Sequence, residues 1–553
     1  MRRLRPAGIR TIGIRTIGIL AIGFTAWIAD STAARAQGVL PPTGVDTRVG
    51  DLRGYFTQAF GQLPTDATTH GWTYSAAIDA SETYDTGVPV SSNGGTIQAH
   101  DLITRIGPSI GITGDSARLV GSLFYSPTLN IYAIHGNQNN ISHNLNADVT
   151  ATVVPDFFFV DLRAYAAEQA INGFNGPANT TDVSSSNEEL TTSFSVAPTL
   201  RHSFQTLANA ELGASLSRTE ISANNQVQTS TAEAVNQNFT TEEAHATVST
   251  GEDFGQFSDS LSAQASTSSG TGNLQGATSS TVTNTFSYAA TRTIVLTASI
   301  GHEDYSYGGS NPYVVDDVTW SGGLIWTPDP DSNVSLGYGH QQGGSSFYLN
   351  ASYATSAFTR VYARYSQGIG TEGQNLQNAV NSTTVNSSGV LVDRATGIPV
   401  SLNNNFFPTQ PGLYRTTSAS VSGVLLWPRD LFNVGLQYQE TTQLTSGFSN
   451  TPGSSSSSSG EFVSFSWEHD LSEDLHANFS LQYGVNSGSN FGTNGSTGNQ
   501  GSILVNAGLT YAISETLSTS FQLTYTNQPS YTGTNNNSYT GREIAVVSIH
   551  KTF

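Results

Sequence analysis

Eleven histidines, 41 carboxylates and no cysteine are the groups from which this 553-residue chain could assemble catalytic or metal chemistry. Without cysteine there are no disulfide staples, no thiolate metal ligands and no lipid attachment at an N-terminal cysteine. The histidines do not fall at ligand spacing. His135 and His143 flank one polar loop and His469 adjoins Asp470 at a turn, but neither spacing places two ligands on one side of a strand or helix. Asp316–Asp317 and the Asp329-Pro330-Asp331 turn could offer oxygens to calcium. Carboxylates in tight turns more often accept their own backbone N–H groups, and that is the expectation here. No nucleophile elbow of the Gly-x-Ser-x-Gly type is read from the chain, and serine is too common for a Ser, His and Asp combination to be picked out by eye. Gly270 and Gly272 belong to a Ser/Thr/Gly linker with no helix behind them, so they make no phosphate loop. No catalytic residue, cofactor or metal ligand is assigned, and the chain is expected not to be an enzyme.

The pattern that does stand out has a period of two. Leu475, Ala477, Phe479, Leu481 and Tyr483 alternate with His476, Asn478, Ser480, Gln482 and Gly484. Leu517, Thr519, Phe521, Leu523 and Tyr525 alternate with Ser518, Ser520, Gln522 and Thr524. Ile503 to Tyr511, Val334 to Tyr338 and Val463 to Trp467 repeat the arrangement. Successive side chains of a strand point to opposite faces, so each segment is a strand with one apolar and one wet face. Many of these segments run for about ten residues, the length that crosses a bilayer as a tilted strand. Tyr483, Tyr511, Tyr525, Trp320 and Trp326 sit near the ends of apolar rows, where an interfacial aromatic girdle belongs. Disorder is excluded by the aromatic content of 10%, and a helical membrane protein by the lack of any later apolar run of about 18 residues.

Connections reinforce the reading. Tight turns at 113–116, 154–157, 251–255, 290–293, 427–431, 470–474 and 512–516 alternate with polar loops at 168–190, 368–411, 442–460, 484–500 and 526–540. Short turns on the periplasmic side and long loops outside are the habit of membrane barrels. The expected fold is all-β: a single antiparallel transmembrane β-barrel over 71–553 with about 22 strands, and not fewer than about 16.

The N-terminus supplies the export signal. Arg2, Arg3, Arg5, Arg10 and Arg15 precede an apolar stretch from Thr16 to Ile28 and the triplet Ala34-Arg35-Ala36, the order of a cleaved secretory leader. Cleavage after Ala36 leaves 517 of the 553 residues. The leader holds 6 of 21 basic and 1 of 41 acidic residues, so the remainder carries 15 against 40, a net charge of −25. Nucleic acid is not a partner for such a chain. Residues 37–70 read as a short periplasmic or lumenal lead, with one helical turn at 52–60.

At the other end Phe553 closes an alternating strand in which Lys551, Ile549, Val547 and Ala545 share a face opposite His550 and Ser548. A terminal aromatic in this setting resembles the signal read by the barrel-assembly machinery, although Lys551 stands where an apolar residue is usual. Several blocks resemble the outer-membrane barrels of PEP-CTERM and exosortase systems, which accompany exopolysaccharide loci. These are Asp101-Leu102-Ile103-Thr104 with Pro108 and Leu123 to Tyr125, then Pro155-Asp156-Phe157 through Asp161. They continue with Gly301-His302-Glu303-Asp304, Trp320, Gly322, Trp326 and Pro328, followed by Tyr362 to Gln367. Trp467, His469, Leu471 and Ser472 and the strand from Tyr539 to Phe553 complete them. The resemblance implies an outer-membrane location, a role in polysaccharide or surface-protein export and no catalytic residues.

The wet faces give the candidate site. With Phe479 and its companions toward lipid, Asn478, Ser480, Gln482, Asn506, Gln522 and Thr524 line the lumen, joined by Arg360, Arg364, Glu468, His476 and His550. A hydroxyl and amide lining of this kind suits polar solutes such as sugars, and a porin-like barrel passing or exporting polar material is the functional expectation. Outer-membrane lipid and polysaccharide are the expected partners. A structural or adhesive barrel working through its loops, especially 368–411, and a barrel-embedded hydrolase are the alternatives.

Overall fold

A computed structural model of the chain describes residues 71–92, 95–170, 188–223, 237–309, 311–385, 391–393, 412–445, 457–488, 498–529 and 539–553. The leader and the lead at 37–70, with its expected helical turn, lie outside these residues. The alternating segments form 24 strands of one antiparallel sheet. Two staves of the sheet are broken: Leu119–Tyr125 continues as Thr128–Tyr132, and Asn140–Ser142 continues as Asn144–Val154. The first break falls at Pro127, which has no N–H to give to a ladder. Counted as staves the wall has 22 members, the number expected.

Each stave pairs with the next, and the last, Tyr539–Thr552, pairs back with the first, Gly71–Ser92, from Ala77 opposite Thr552 to Asp85 opposite Ile544. Closure leaves no open edge, which is what a sheet needs where no water is present to satisfy its backbone groups. The seam is clamped from within. Arg542 sends its Nε to Asp85 Oδ1 at 2.8 Å and its Nη2 to Oδ2, and both side chains are almost fully buried.

The two faces of the wall differ as the period of two demands. Along Leu475–Gly488, Tyr483 is 52% exposed while Gln482 is 6%. Along Tyr539–Thr552, Val547 and Ile549 are exposed while Arg542 and Ile544 are buried. Phe521, Leu523 and Tyr525 likewise face out. Among the described residues no helix is long and apolar enough to cross a membrane. Near the short turns the exterior carries an aromatic row in which Trp427, Phe432, Trp467 and His469 pack in succession. Asp430 fixes the row, accepting from Trp467 Nε1 at 2.9 Å and pairing with His469 Nδ1 at 2.8 Å.

Three expectations need correcting. Gly270 and Gly272 are not in a linker: Phe257–Gly270 and Ala277–Ala289 are wall strands joined by a single turn, because alternation of small polar residues is still a ladder when neighbours supply both edges. Long loops do not occupy every connection opposite the short turns. Asn333–Gln341 and Gly344–Ser356 are joined by Gln342-Gly343 alone, with φ of 51° and 65°, the backbone of a two-residue hairpin turn that matches the twist of its strands. The third correction concerns 368–411. Strand Thr359–Gly370 continues to Gly370, and the chain then turns into the barrel instead of leaving it, forming helix Glu372–Ser382 and a small ladder, Thr383–Val385 with Leu391–Asp393.

Candidate functional site: the lumen and the helix laid across it

The helix begins with a reciprocal cap. Thr371 Oγ1 accepts from Gln374 N at 3.2 Å, and Gln374 Oε1 accepts from Thr371 N at 3.1 Å, the capping box that satisfies two otherwise orphaned donors. Leu376 and Val380, one turn apart, form its apolar stripe and pack on Tyr165 and Ala167 of the inner wall. Beside that contact Gln377 donates to Thr219 at 3.0 Å and Asn381 to Ser217 at 3.4 Å. Those hydroxyls belong to a ladder on the wall itself, Ser193 with Thr219 and Ser217 with Ser195. The helix therefore rests on strands Phe158–Ala170, Glu188–Ser203 and Ala208–Ala223. In the sheet these are separated from Thr359–Gly370 by every strand from Gln237–Thr250 to Gly344–Ser356. Reaching them takes the segment across the lumen.

Where it starts, the rim is drawn together by a small apolar core. Phe239, Leu274, Ala277, Tyr307 and Leu413 are buried against one another, with Ile369 and Leu444 at the margin. Polar bonds lace the same region: Thr445 Oγ1 donates to Asn311 O at 2.7 Å, and Asn273 exchanges bonds with Gly308.

The sequence-derived lining residues fall on the following places. Asn478 donates to Asn506 at 3.3 Å and Asn506 to Thr524 at 2.9 Å, an amide ladder across three staves. Gln482 lies on the same face of its strand, and Gln522 shares a face with Thr524. His476 pairs with Asp470 at 2.8 Å near a short turn, and Glu468 is opposite Asn478. His550 meets Asp79 across the seam at 2.6 Å. Arg360 and Arg364 share a face with buried Tyr362, which sits between them. The amide group is thus brought together, whereas the two arginines lie on a different part of the wall.

The charge pairs of the lumen are not legible along the chain, because the two members of each lie on different strands. Besides Asp85–Arg542, these include Asp148–Arg163 at 3.3 Å and a set in which Glu211 bridges Arg201 at 2.8 Å and His245 at 3.4 Å. The helix is not read from the sequence either, although the Thr371-x-x-Gln374 spacing is a usable signal for it.

The remaining candidates resolve into pairs. His135 bonds Asp101 at 2.8 Å and His143 bonds Tyr125, so those two histidines are not brought together. Asp329 accepts from Asp331 N at 2.9 Å, a carboxylate capping its own turn. Asp316 meets His302 and Asp317 meets His340. One spacing of the elbow type does occur, Gly107-Pro108-Ser109-Ile110-Gly111, but it lies mid-strand in Gly95–Asp115, paired throughout with Gly71–Ser92. It lacks the strand-to-helix turn that exposes a nucleophile. Among the described residues no three His, Asp or Glu side chains gather at metal-binding geometry.

The chain is similar, at low identity, to several large barrels of known structure. The FrpB iron transporter from Neisseria meningitidis is 9% identical, with 88% of this chain and 82% of that chain covered, at a TM-score of 0.49. The ferric-catecholate import receptor Fiu from E. coli is 12% identical over 86% and 82%, at 0.44. The siderophore receptor PiuA from Acinetobacter baumannii is 10% identical over the same shares, at 0.45. The likeness is one of fold, and iron or siderophore binding is a property of those proteins. No family model and no curated relative matches the sequence.

Proposed function

We propose that the chain is a porin-like outer-membrane barrel whose lumen, narrowed by helix Glu372–Ser382, passes or exports polar material. The observation that carries this reading is the seat of the helix: a capped, preformed element held on the inner wall by neutral hydroxyls and amides and one small apolar contact. An element of that kind sets a passage width and presents uncharged hydrogen-bonding groups to what passes. Sugars and other neutral polar solutes fit that chemistry, and an association with exopolysaccharide or surface-protein export is the physiological setting we propose. Outer-membrane lipid is the surrounding medium, and the assembly machinery engages the strand ending at Phe553.

The test is electrical. The purified, folded barrel in a planar bilayer is expected to give discrete unit conductance, and liposomes containing it to swell in neutral oligosaccharides. A folded barrel that never conducts and admits no sugar would sink the proposal in favour of the adhesive alternative.

A further inference from the structure

The short hairpin Asn333–Gln341/Gly344–Ser356 leaves a notch in the wall. Its neighbours stand taller: pairing with Tyr313–Trp326 ends at Trp320 opposite His340, and pairing with Thr359–Gly370 begins only at Leu349 opposite Tyr365. In the notch His340 Nδ1 lies 2.8 Å from Ser345 Oγ, and His340 Nε2 lies 2.8 Å from Asp317 Oδ2. The other carboxylate oxygen, Oδ1, is held by Val318 N at 2.8 Å. We propose that Ser345 and His340 on the outer face, with Asp317 reaching His340 through the notch from the inner face where it stands opposite Glu303, form a serine-hydrolase site for acyl esters of amphiphiles lying against the barrel's outer face.

Three features separate this set from a chance hydrogen-bonded chain. The first is order: hydroxyl, imidazole and carboxylate are linked in series, each ring nitrogen having one partner, as nucleophilic catalysis requires. Here Nδ1 is the base and Nε2–H is the end held by the carboxylate. The second is rigidity. The turn between His340 and Ser345 is pinned because Gln342 O accepts from Arg415 at 3.1 Å and Gln342 Oε1 accepts from Ile369 N at 2.8 Å. Gln341 opposite Gly344 closes the hairpin, which makes His340–Ser345 a wide pair. The Ser345 N–H is thereby turned away from its partner strand, toward the notch, where it can meet an oxyanion. The third is placement. Trp320, Tyr338 and Phe347 form an exposed aromatic row just below the site, and above it the exterior mixes the polar His302, Asp304 and Asp316 with exposed Val314 and Val318. An ester group whose acyl chain lies along the aromatic row comes level with Ser345.

The reaction balances with water alone. Ser345 Oγ adds to the ester carbonyl carbon as its proton passes to Nδ1. The carbon–oxygen bond to the alcohol then breaks, with that proton returned to the leaving oxygen. Water adds to the acyl-serine by the reverse path, releasing the acid and restoring the hydroxyl. Ser345 and His340 touch the reacting atoms, while Asp317 is a positioning residue.

The test uses the full chain folded in detergent micelles. A long-chain phosphonofluoridate probe on the unaltered protein is expected to add one phosphonyl mass to the peptide carrying Ser345, and p-nitrophenyl palmitate to be hydrolysed. Ser345→Ala should lower turnover by about 10²-fold or more while unit conductance stays that of the parent. Asp317→Asn should lower the rate and change its pH profile. Preference for the palmitate over p-nitrophenyl acetate assigns amphiphiles as the substrate, and the reverse preference would overturn that assignment. Absence of the adduct from the Ser345 peptide in conducting protein, or unchanged hydrolysis in Ser345→Ala, would overturn the site.

Discussion

Single side chains decide whether the seam holds. Asp85 and Arg542 are 457 residues apart and almost fully buried, and removing one partner leaves an uncompensated charge inside the wall. Arg542→Met is expected to cost about 3–5 kcal/mol, read as a lower urea midpoint for the vesicle-embedded barrel. Asp85→Leu in the same chain should restore much of the loss, and a single variant as stable as the parent would contradict the clamp. Glycine acts at the same scale. A Cβ on Gly337 would meet the Tyr348 ring at 2.3 Å, and one on Gly323 would meet its hydroxyl, so the ring lies flat across both residues on the inner wall. Gly337→Val should cost about 1–3 kcal/mol through overpacking, and pairing it with Tyr348→Ala should lessen the cost.

At the scale of elements, the helix Glu372–Ser382 lies inside the wall as an element separate from the sheet. It is joined to the wall by two amide–hydroxyl bonds and the Leu376–Val380 stripe. Gln377→Ala removes one bond worth about 1 kcal/mol, about a fivefold fall in the ratio of seated to unseated helix. Val380→Asp places a charge against Tyr165 and Ala167 and should unseat it further. Both variants are expected to enlarge or destabilise the unit conductance in bilayer recordings. Traces identical to the parent would mean that the helix does not set the passage. This element was half legible in the sequence. Thr371 and Gln374 stand at capping-box spacing and Leu376 and Val380 at helical spacing, yet the surrounding Ser/Asn/Gly-rich stretch reads as a surface loop. Nothing local says that an amphipathic turn will find its apolar partner on strands some two hundred residues earlier.

The whole molecule makes one demand: the greasy face must be outside. All five tryptophans within 71–553 lie on the outer face of the wall, with Trp72, Trp320, Trp326 and Trp427 exposed and Trp467 packed on Phe432. Lipids brominated on their acyl chains should therefore quench most of the intrinsic tryptophan fluorescence, and aqueous acrylamide little of it. The opposite result would turn the barrel inside out and end the membrane reading.

The sequence by itself determined the strands with a clear apolar face, their outward side and a count of about 22 staves, but not the Ser/Thr/Gly-rich strands on either side of Gly272. A period of two is written residue by residue, and the bilayer sets the length over which it must persist. What the tertiary structure decided was every relation across strands: the Asp85–Arg542 seam, the Arg201–Glu211–His245 set, the alignment of Asp317, His340 and Ser345, and the inward path of 371–385. The reason is register. Side-chain neighbours in a sheet are fixed by which residue stands opposite which. In a closed wall that choice is settled by twist, closure and turn geometry together, none of which any one segment contains.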